Sequence, residues 1–187
     1  LNCWVSGGSR LDPEIKRYFL GLGISLRQGY GLTETSPAVA IQSHFDPVMD
    51  SVGKVIENCE VKVDCPDEDG SGEIWIKGDN IMLGYTSEKY TKEVMNGEWF
   101  KTGDIGRIDA TGNIILTGRS KRLIVTDSGK NVYPEDLEIR LERDSAVKEA
   151  AGLELDMKPV AIFSIDMALF ENTQEQEAEM RRVLKDF

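Results

Sequence analysis

Histidine and cysteine are scarce in this sequence, and their scarcity excludes several kinds of site. His44 is the only histidine among 187 residues, so a His-based catalytic triad or a zinc site with several histidines cannot form within this chain. The three cysteines, Cys3, Cys59 and Cys65, are odd in number and have no Cys-x-x-Cys spacing. This pattern favours free, structural thiols in a reducing compartment, and we therefore predict a cytoplasmic protein.

Positive charge and long apolar runs are also lacking. The chain has 22 Lys and Arg against 33 Asp and Glu, which gives a formal net charge of -11 at pH 7. Nucleic acids and anionic membranes are bound by clusters of basic residues, so this balance argues against both as partners. No apolar run approaches the roughly 18 residues of a membrane-spanning helix. A small nucleotide remains compatible, because a few local donors and one Mg²⁺ ion suffice to bind it.

The two ends of the sequence lead us to expect an internal part of a longer protein. The chain begins at Leu1, without Met, and passes at once into an apolar stretch. It ends at Phe187, an apolar position of a predicted helix, with no Gly or Asn stop signal. Domain boundaries normally fall in flexible linkers rather than against such elements. We expect apolar surface exposed at these ends to favour self-association.

The first section of the chain, residues 1–45, reads as the strand–helix–strand end of a larger α/β region. An apolar run at residues 1–5 predicts the first strand, and residues 24–28 predict the second. A helix is predicted between the two strands, with Asp12 as its N-cap and Pro13 as its first residue. Apolar residues at helical spacing predict one buried stripe on this helix, formed by Ile15, Tyr18, Phe19 and Leu22.

The second section, residues 46–118, reads as a series of short strands. Val61 and Val63 alternate with polar residues, and Ile74 and Ile76 alternate with Trp75, a residue of the opposite face. Glycines separate these runs at short intervals, as turns between strands require. We therefore predict a small β-barrel-like subdomain here.

The third section, residues 119–187, predicts an incomplete C-terminal α+β domain. Its elements are a hairpin with a turn at residues 127–130, a helix opened by Pro134 and a buried strand at residues 160–165. A final helix carries a capping box and an apolar stripe, in the order Thr173, Gln176, Met180, Val183, Leu184 and Phe187. The predicted fold is thus mixed α/β, with a domain boundary near residues 119–122.

Four segments carry residues suited to nucleotide chemistry. They are residues 28–35 (QGYGLTET), residues 72–85 (starting GEIWIKG and ending GY), residues 99–104 (WFKTGD) and residues 118–138 (starting GRSK and ending YPEDLE). In this order and at these spacings they resemble the core motifs of the adenylate-forming superfamily, which includes acyl-CoA synthetases, luciferases and the adenylation domains of peptide synthetases. The SGKNV turn and the YPEDLE helix start are most similar to those of long-chain fatty-acyl-CoA synthetases.

The resemblance implies roles at the nucleotide end of the site. Thr33 would hydrogen-bond the α-phosphate, and Glu34 would bind Mg²⁺, a hard ion that prefers carboxylate oxygen. Tyr30 would offer its ring to the adenine, and the backbone of Gly8 and Ser9 would line the other side of the purine. These assignments place the catalytic groups in a single turn.

Further roles implied by the resemblance concern the ribose, the hinge and CoA. Asp104 would accept hydrogen bonds from both ribose hydroxyls, because a carboxylate has two acceptor oxygens. Arg119 would donate to the same ribose, and Gly31 would belong to the nucleotide-binding turn. Lys121 stands where the superfamily has the hinge of its C-terminal domain. Gly129 would line the channel for the pantetheine arm of CoA.

Each of these residues also has a purely structural alternative. Thr33 and Glu34 would suit an ordinary polar turn, and Tyr30 would suit the core. Arg119 and Lys121 would suit a solvated basic cluster. Asp104 could simply cap a turn that follows Gly103.

The reaction implied is that of an AMP-forming acyl-CoA synthetase. ATP with Mg²⁺ would activate a long-chain fatty acid as acyl-AMP, and CoA would then take the acyl group. The phosphate-gripping loop and the catalytic lysine of the superfamily have no counterpart in this sequence, so we expect the chain alone to be inactive and to bind ATP weakly. Two alternatives stay open: an adenylation or acyl-carrier-protein ligase domain, and a non-catalytic binding module that keeps the fold.

Overall fold

The structure is a computed structural model with mixed α/β architecture, the class that the sequence predicts. It describes residues 3–43, 48–126, 131–156, 158–169 and 173–186. The chain divides into two compact units, Leu1–Ser120 and Lys121–Phe187.

A mixed sheet forms the body of the first unit. Its nine strands among the described residues are β1 (Cys3–Ser6), β2 (Ser25–Tyr30), β3 (Ala40–Ile41), β4 (Gly53–Val55), β5 (Cys59–Asp64), β6 (Gly72–Gly78), β7 (Met95–Asn96), β8 (Trp99–Ile108) and β9 (Asn113–Arg119). The hydrogen-bonded order is β1-β2-β3-β4-β9-β8-β6-β5, with β7 on β8. β1 and β2 are parallel, whereas the other paired strands are antiparallel.

Helix α1 (Pro13–Gly21) connects the parallel strands β1 and β2, which confirms the predicted strand–helix–strand unit. It begins as the sequence predicts. The Oδ1 atom of Asp12 accepts a hydrogen bond of 2.8 Å from the backbone N–H of Glu14, and proline occupies the first helical position. A second helix, α2 (Glu88–Val94), lies between β6 and β7 in the chain and was not predicted.

The apolar stripe of α1 is exposed, so the prediction that it is buried is wrong for this chain. Its members are exposed by 49%, 66%, 36% and 59%, for Ile15, Tyr18, Phe19 and Leu22 respectively. The side that the unit covers contains Lys16, whose ammonium group donates to Oε1 of Gln42 at 2.6 Å and to the carbonyl of Met49 at 3.2 Å. The covered side of α1 therefore carries a hydrogen-bonded lysine instead of the apolar stripe, and the expected self-association remains a prediction.

The core of the first unit lies on the strands at the middle of the sheet. Its buried members are Tyr30, Val39, Ala40, Val52, Ile74, Ile76 and Ile114. Ile74 and Ile76 are fully buried on one face of β6, as their alternation predicts, and Val61 and Val63 pack against the same cluster.

A tight turn fixes the register between β8 and β9. The Asp109 carboxylate accepts hydrogen bonds from the backbone N–H groups of Thr111 and Asn113, at 2.8 and 2.9 Å. These bonds, with that of the Asn113 backbone the strongest influence, lower the pKa of Asp109 to about 2. Between Ile105 and Gly106 an irregularity shifts this register by one residue, and the shifted register pairs Asp104 with Arg119 across the two strands.

The second unit contains two small antiparallel sheets and two α-helices within its described residues. These elements are β10 (Ile124–Val125), β11 (Asn131–Val132), α3 (Pro134–Glu142), β12 (Val147–Leu155), β13 (Lys158–Ile165) and α4 (Thr173–Asp186). β10 pairs with β11, the two arms of the predicted hairpin, whose turn at residues 127–130 lies outside the described residues. None of the described helices combines the length and apolar character needed to span a membrane.

The predicted burial of the strand at residues 160–165 is only partly correct. Ala161 and Phe163 pack on the core of the second unit, but Ile162 points to the opposite face and is 59% exposed. Because β12 and β13 form a two-stranded sheet, one face is covered by α3 and α4 and alternate residues face solvent. α4 begins at the predicted residue, Thr173, and buries Val183.

Three side chains of the predicted capping box and apolar stripe lie outside the described part of the structure. They are those of Thr173, Leu184 and Phe187, so the predicted capping box stays a prediction. Met180, in the same predicted stripe, is 37% exposed.

Gly53, the first residue of β4, is expected to tolerate alanine poorly. It has φ 93°, and a Cβ atom would lie 2.1 Å from the carbonyl carbon of Ile41 on β3. Gly112 provides a matched control, with φ 86° and open space around a Cβ. Gly112→Ala carries conformational strain alone, about 1 kcal/mol. We expect Gly53→Ala to lower the free energy of unfolding by about 1–3 kcal/mol more, because backbone must also move.

Urea denaturation followed by tryptophan fluorescence measures this difference, since all three tryptophans, Trp4, Trp75 and Trp99, belong to the first unit. Equal destabilisation by the two substitutions would contradict the close approach of β3 and β4.

Candidate nucleotide site

The parallel pair β1–β2 brings two of the predicted segments to one edge of the sheet. The register pairs Ser6 with Gln28, so the carboxyl ends of both strands meet at this edge. Gly8 and Ser9 follow β1 and are exposed, and Gly31 follows β2. Ligands of α/β sheets commonly bind outside the carboxyl ends of parallel strands. The edge is therefore suited to a small ligand.

Gly31 is required by the chain's own backbone. A Cβ atom at this position would lie 1.6 Å from the carbonyl oxygen of Pro37 and 2.9 Å from Cα of Ala38. Close packing of the turn thus accounts for the glycine without a ligand. Its role in nucleotide binding stays a prediction.

Three predicted residues meet at a buried carboxylate. Asp104 on β8 is 5% exposed, and its Oδ2 accepts a hydrogen bond of 2.6 Å from the hydroxyl of Tyr30. Its Oδ1 forms an ion pair with Nε of Arg119 at 2.8 Å. The backbone N–H of Asp104 donates to Oγ1 of Thr102 at 3.0 Å. The structure thus joins Tyr30, Asp104 and Arg119, which are far apart in the sequence.

The electrostatics of this cluster keep Tyr30 neutral and leave Arg119 accessible. Burial, followed by the negative charge of Asp104, raises the pKa of Tyr30 well above its ordinary value. The side chain of Arg119 is 51% exposed, in contrast to the 8% of its partner Asp104. A polar ligand can therefore approach the cluster from the side of the guanidinium group.

The ring of Tyr30 packs in the core of the first unit. The residue is only 9% exposed and belongs to the same buried cluster as Val39 and Ile76. The sequence allowed Tyr30 to be either an adenine contact or a core residue, and this burial matches the core residue. Little ring surface is left for an adenine, and that contact stays a prediction.

Thr33 lies in a short 3-10 helix, Thr33–Thr35, that is held by its neighbours. Oγ1 of Thr35 accepts from the backbone N–H of Leu32 at 2.9 Å and donates to its carbonyl at 3.0 Å. Asn80 donates to the carbonyls of Thr35 and Ala38, at 3.1 and 2.7 Å. Thr33 itself is exposed, and its hydroxyl makes no hydrogen bond within the described residues. A fixed backbone thus presents an available hydroxyl.

Glu34 is bound by a loop that the sequence did not connect with it. Its Oε1 accepts a hydrogen bond of 2.7 Å from the hydroxyl of Tyr85, and its carbonyl accepts one of 2.8 Å from the N–H of Met82. The hydrogen bond to Glu34, together with burial and the carboxylate charge, raises the pKa of Tyr85 to about 12. Tyr85 was part of a recognised segment, but no sequence signal assigned it a partner.

The residues present fit a metal ion that is bound mainly by a nucleotide. Within the described ranges, no group of three or more His, Cys, Asp or Glu could hold a metal ion. The Oε2 atom of Glu34 accepts no hydrogen bond from the described residues. Mg²⁺ commonly binds one or two carboxylates together with phosphates and water. Glu34 could supply such a carboxylate.

Two further predicted residues, Lys121 and Gly129, belong to the second unit. Lys121 is exposed in a 3-10 helix, Ser120–Arg122, and is the first residue of the second unit. Gly129 lies outside the described residues. The roles predicted for both, as hinge and in the CoA channel, stay predictions.

Removing the hydroxyl of Tyr30 should weaken the first unit. Tyr30→Phe leaves a buried carboxylate with one donor fewer, which costs about 1.5–3 kcal/mol for a bond to a charged group. Tyr18→Phe is the matched control, because Tyr18 is 66% exposed and its hydroxyl makes no hydrogen bond within the described residues. We expect this control to change stability by less than about 0.5 kcal/mol. Urea denaturation followed by tryptophan fluorescence measures both free energies of unfolding. Equal values for the two variants would contradict the hydrogen bond from Tyr30 to Asp104.

Comparison with known sequences places this site in a family. The model of the AMP-binding enzyme family matches residues 1–86. The long-chain-fatty-acid–CoA ligase FadD15 of Mycobacterium bovis is 35% identical over 178 residues, which cover 94% of this chain and 29% of that protein. The long-chain-fatty-acid–CoA ligase ACSBG1 of Bos taurus is 42% identical over 134 residues, covering 71% of this chain and 18% of the ligase. The chain thus spans less than a third of the length of these relatives.

Solved structures give the same result for the fold. The o-succinylbenzoate CoA synthetase MenE of Bacillus subtilis, in complex with the acyl-adenylate OSB-AMP, has a TM-score of 0.84 and 27% identity, covering 100% of this chain and 40% of its own. The same synthetase in complex with ATP and magnesium ion has a TM-score of 0.78 and 31% identity, covering 87% of this chain and 36% of its own. Motifs, fold and relatives agree: the chain belongs to the adenylate-forming, AMP-binding enzyme superfamily.

Proposed function

We propose that this chain is the part of an AMP-forming, long-chain fatty-acid–CoA ligase that binds the nucleoside and the metal ion of Mg-ATP. The observation that carries the proposal is the buried Asp104 carboxylate, paired with a half-exposed Arg119 and joined to Tyr30. Tyr30 directly precedes the turn that contains Thr33 and Glu34. The similarity to long-chain-fatty-acid–CoA ligases supports the substrate class.

The proposed reaction has two steps. An oxygen of the fatty acid carboxylate bonds to the α-phosphorus of ATP, and the bond from this phosphorus to the bridging oxygen of pyrophosphate breaks. The thiol of CoA then attacks the acyl carbon, AMP leaves with the electron pair of the cleaved bond, and the thiol proton passes to solvent. Positioning and charge neutralisation supply most of the rate enhancement in such reactions.

The residues of this chain would act at the ribose and the α-phosphate. Asp104 accepts from the ribose hydroxyls, because one carboxylate oxygen can accept more than one hydrogen bond. Arg119 donates to the same ribose, and the Thr33 hydroxyl donates to an oxygen of the α-phosphate. Glu34 binds Mg²⁺, which neutralises phosphate charge when bound.

The remaining predicted residues complete the proposal. The exposed backbone of Gly8 and Ser9 lies along the purine, with Gly31 shaping the adjacent turn. Lys121 serves as the hinge, and Gly129 lines the route of the pantetheine arm. The three cysteines are free, in keeping with a cytoplasmic enzyme.

The test is AMP release by the full-length protein that contains this chain. With ATP, Mg²⁺ and fatty acids of increasing length, we expect release to require CoA and to be fastest with long chains. Asp104→Asn should raise the KM for ATP by about 10–100-fold, since it weakens two hydrogen bonds to a charged acceptor. Glu93→Gln makes the same chemical change at an exposed carboxylate and should leave the KM unchanged.

Three results would contradict this proposal in different ways. Release that requires an acyl-carrier protein instead of CoA would identify a carrier-protein ligase. An absence of release with every acid and acceptor would identify a non-catalytic binding module. An unchanged KM for ATP in the Asp104→Asn variant would contradict the proposed contact between Asp104 and the ribose.

A further inference from the structure

Glu34 is contacted twice by the loop that leads from β6 to α2. The N–H of Met82 donates to the carbonyl of Glu34 at 2.8 Å, and the hydroxyl of Tyr85 donates to its Oε1 at 2.7 Å. The second contact joins residues 51 positions apart. The loop thus fixes both the backbone and the carboxylate of one residue.

The position of Tyr85 is itself determined by α2. Its backbone N–H donates to Oγ1 of Thr91 at 2.8 Å, and that hydroxyl donates to the carbonyl of Ser87 at 3.1 Å. The adjacent Gly84 has φ 148°, and a Cβ there would lie 2.8 Å from Cγ2 of Thr91. Close contact between loop and helix therefore restricts the tyrosine before any ligand binds.

One hydrogen bond to a carboxylate distinguishes its two oxygens. Oε1 of Glu34 accepts from Tyr85, whereas Oε2 accepts no hydrogen bond within the described residues. A carboxylate held through one oxygen loses less rotational freedom when the other binds a cation. Partners of metal ligands act in this way, and their removal commonly weakens metal binding by about 10–100-fold.

We propose that Tyr85 is a positioning residue for Glu34, whose free oxygen it presents to the divalent cation of the nucleotide complex. This inference rests on the proposed function, because it takes Glu34 as the metal ligand. Tyr85 would act through Glu34 and not on the nucleotide or the reacting atoms. The hydrogen bond also withdraws negative charge from the carboxylate, which weakens its attraction for the cation. The gain from a fixed orientation of Glu34 outweighs this effect.

The direct test measures binding of Mn²⁺ to the full-length protein by electron paramagnetic resonance, with α,β-methylene ATP as the nucleotide. Tyr85→Phe is expected to raise the Kd for Mn²⁺ about 10-fold, the lower end of the range for partners of metal ligands. Tyr90→Phe is the control, since Tyr90 lies on α2, is 58% exposed and makes no hydrogen bond within the described residues. Its Kd should equal that of the unchanged protein.

A second readout separates positioning from folding. In AMP release, Tyr85→Phe should raise the half-saturating Mg²⁺ concentration about 10-fold, while the rate at saturating Mg²⁺ stays within about twofold. The melting temperatures of Tyr85→Phe and Tyr90→Phe should agree. If Tyr85→Phe unfolds, Thr91→Val supplies the measurement, because it loosens the loop and keeps the phenol; it should raise the Kd about threefold, less than direct removal of the hydroxyl.

Glu34→Gln distinguishes the failure of this inference from that of the proposed function. If it weakens Mn²⁺ binding and Tyr85→Phe does not, Tyr85 has no positioning role and the metal ligand stands. If Glu34→Gln also leaves binding unchanged, Glu34 is not a metal ligand and the inference is wrong. AMP release by the unchanged protein tests the reaction separately from both results.

Discussion

The buried carboxylate of Asp104 imposes the constraint on which the rest of the first unit depends. An ionised group that is 5% exposed costs several kcal/mol unless donors replace the water it has lost. Its partners come from the end of β2, through Tyr30, and from the end of β9, through Arg119. Strands far apart in the sequence must therefore assemble together around one charge. The same contacts thus contribute to the stability of the sheet and set the geometry of the site.

The two acidic residues of the site are held in different ways, and the difference suits different ligands. Asp104 has a partner on each oxygen, so a ligand must share an oxygen that is already bound, as ribose hydroxyls can. Glu34 has one bound and one available oxygen, which suits a cation. A tyrosine hydroxyl donates to each carboxylate, from the core in one case and from a surface loop in the other. The pairs Tyr30–Asp104 and Tyr85–Glu34 are therefore chemically similar and differ mainly in how deeply they are buried.

Local signals in the sequence predicted features that neighbouring residues determine, such as the start of a helix. They predicted little about which surfaces pack together. Asp12 and Pro13 predicted the start of α1 because a cap and a fixed φ act within one turn. The same helix was assigned a buried apolar stripe, but periodicity shows only which residues share a face and not what covers that face. Here the covered side belongs to Lys16 and its hydrogen bonds. The contact between Tyr85 and Glu34 left no local signal at all, because 51 positions separate the two residues.

The motifs identified the superfamily because they connect segments that meet only in the folded chain. The segment at residues 28–35 contacts the segment at residues 99–104 through Tyr30 and Asp104, and Asp104 in turn reaches Arg119. Tyr30 also shows why a choice between core residue and site residue can be too narrow. Its ring packs in the core, while its hydroxyl fixes the carboxylate proposed to bind ribose. A buried residue can thus act on a ligand through the one polar atom that burial forces it to satisfy.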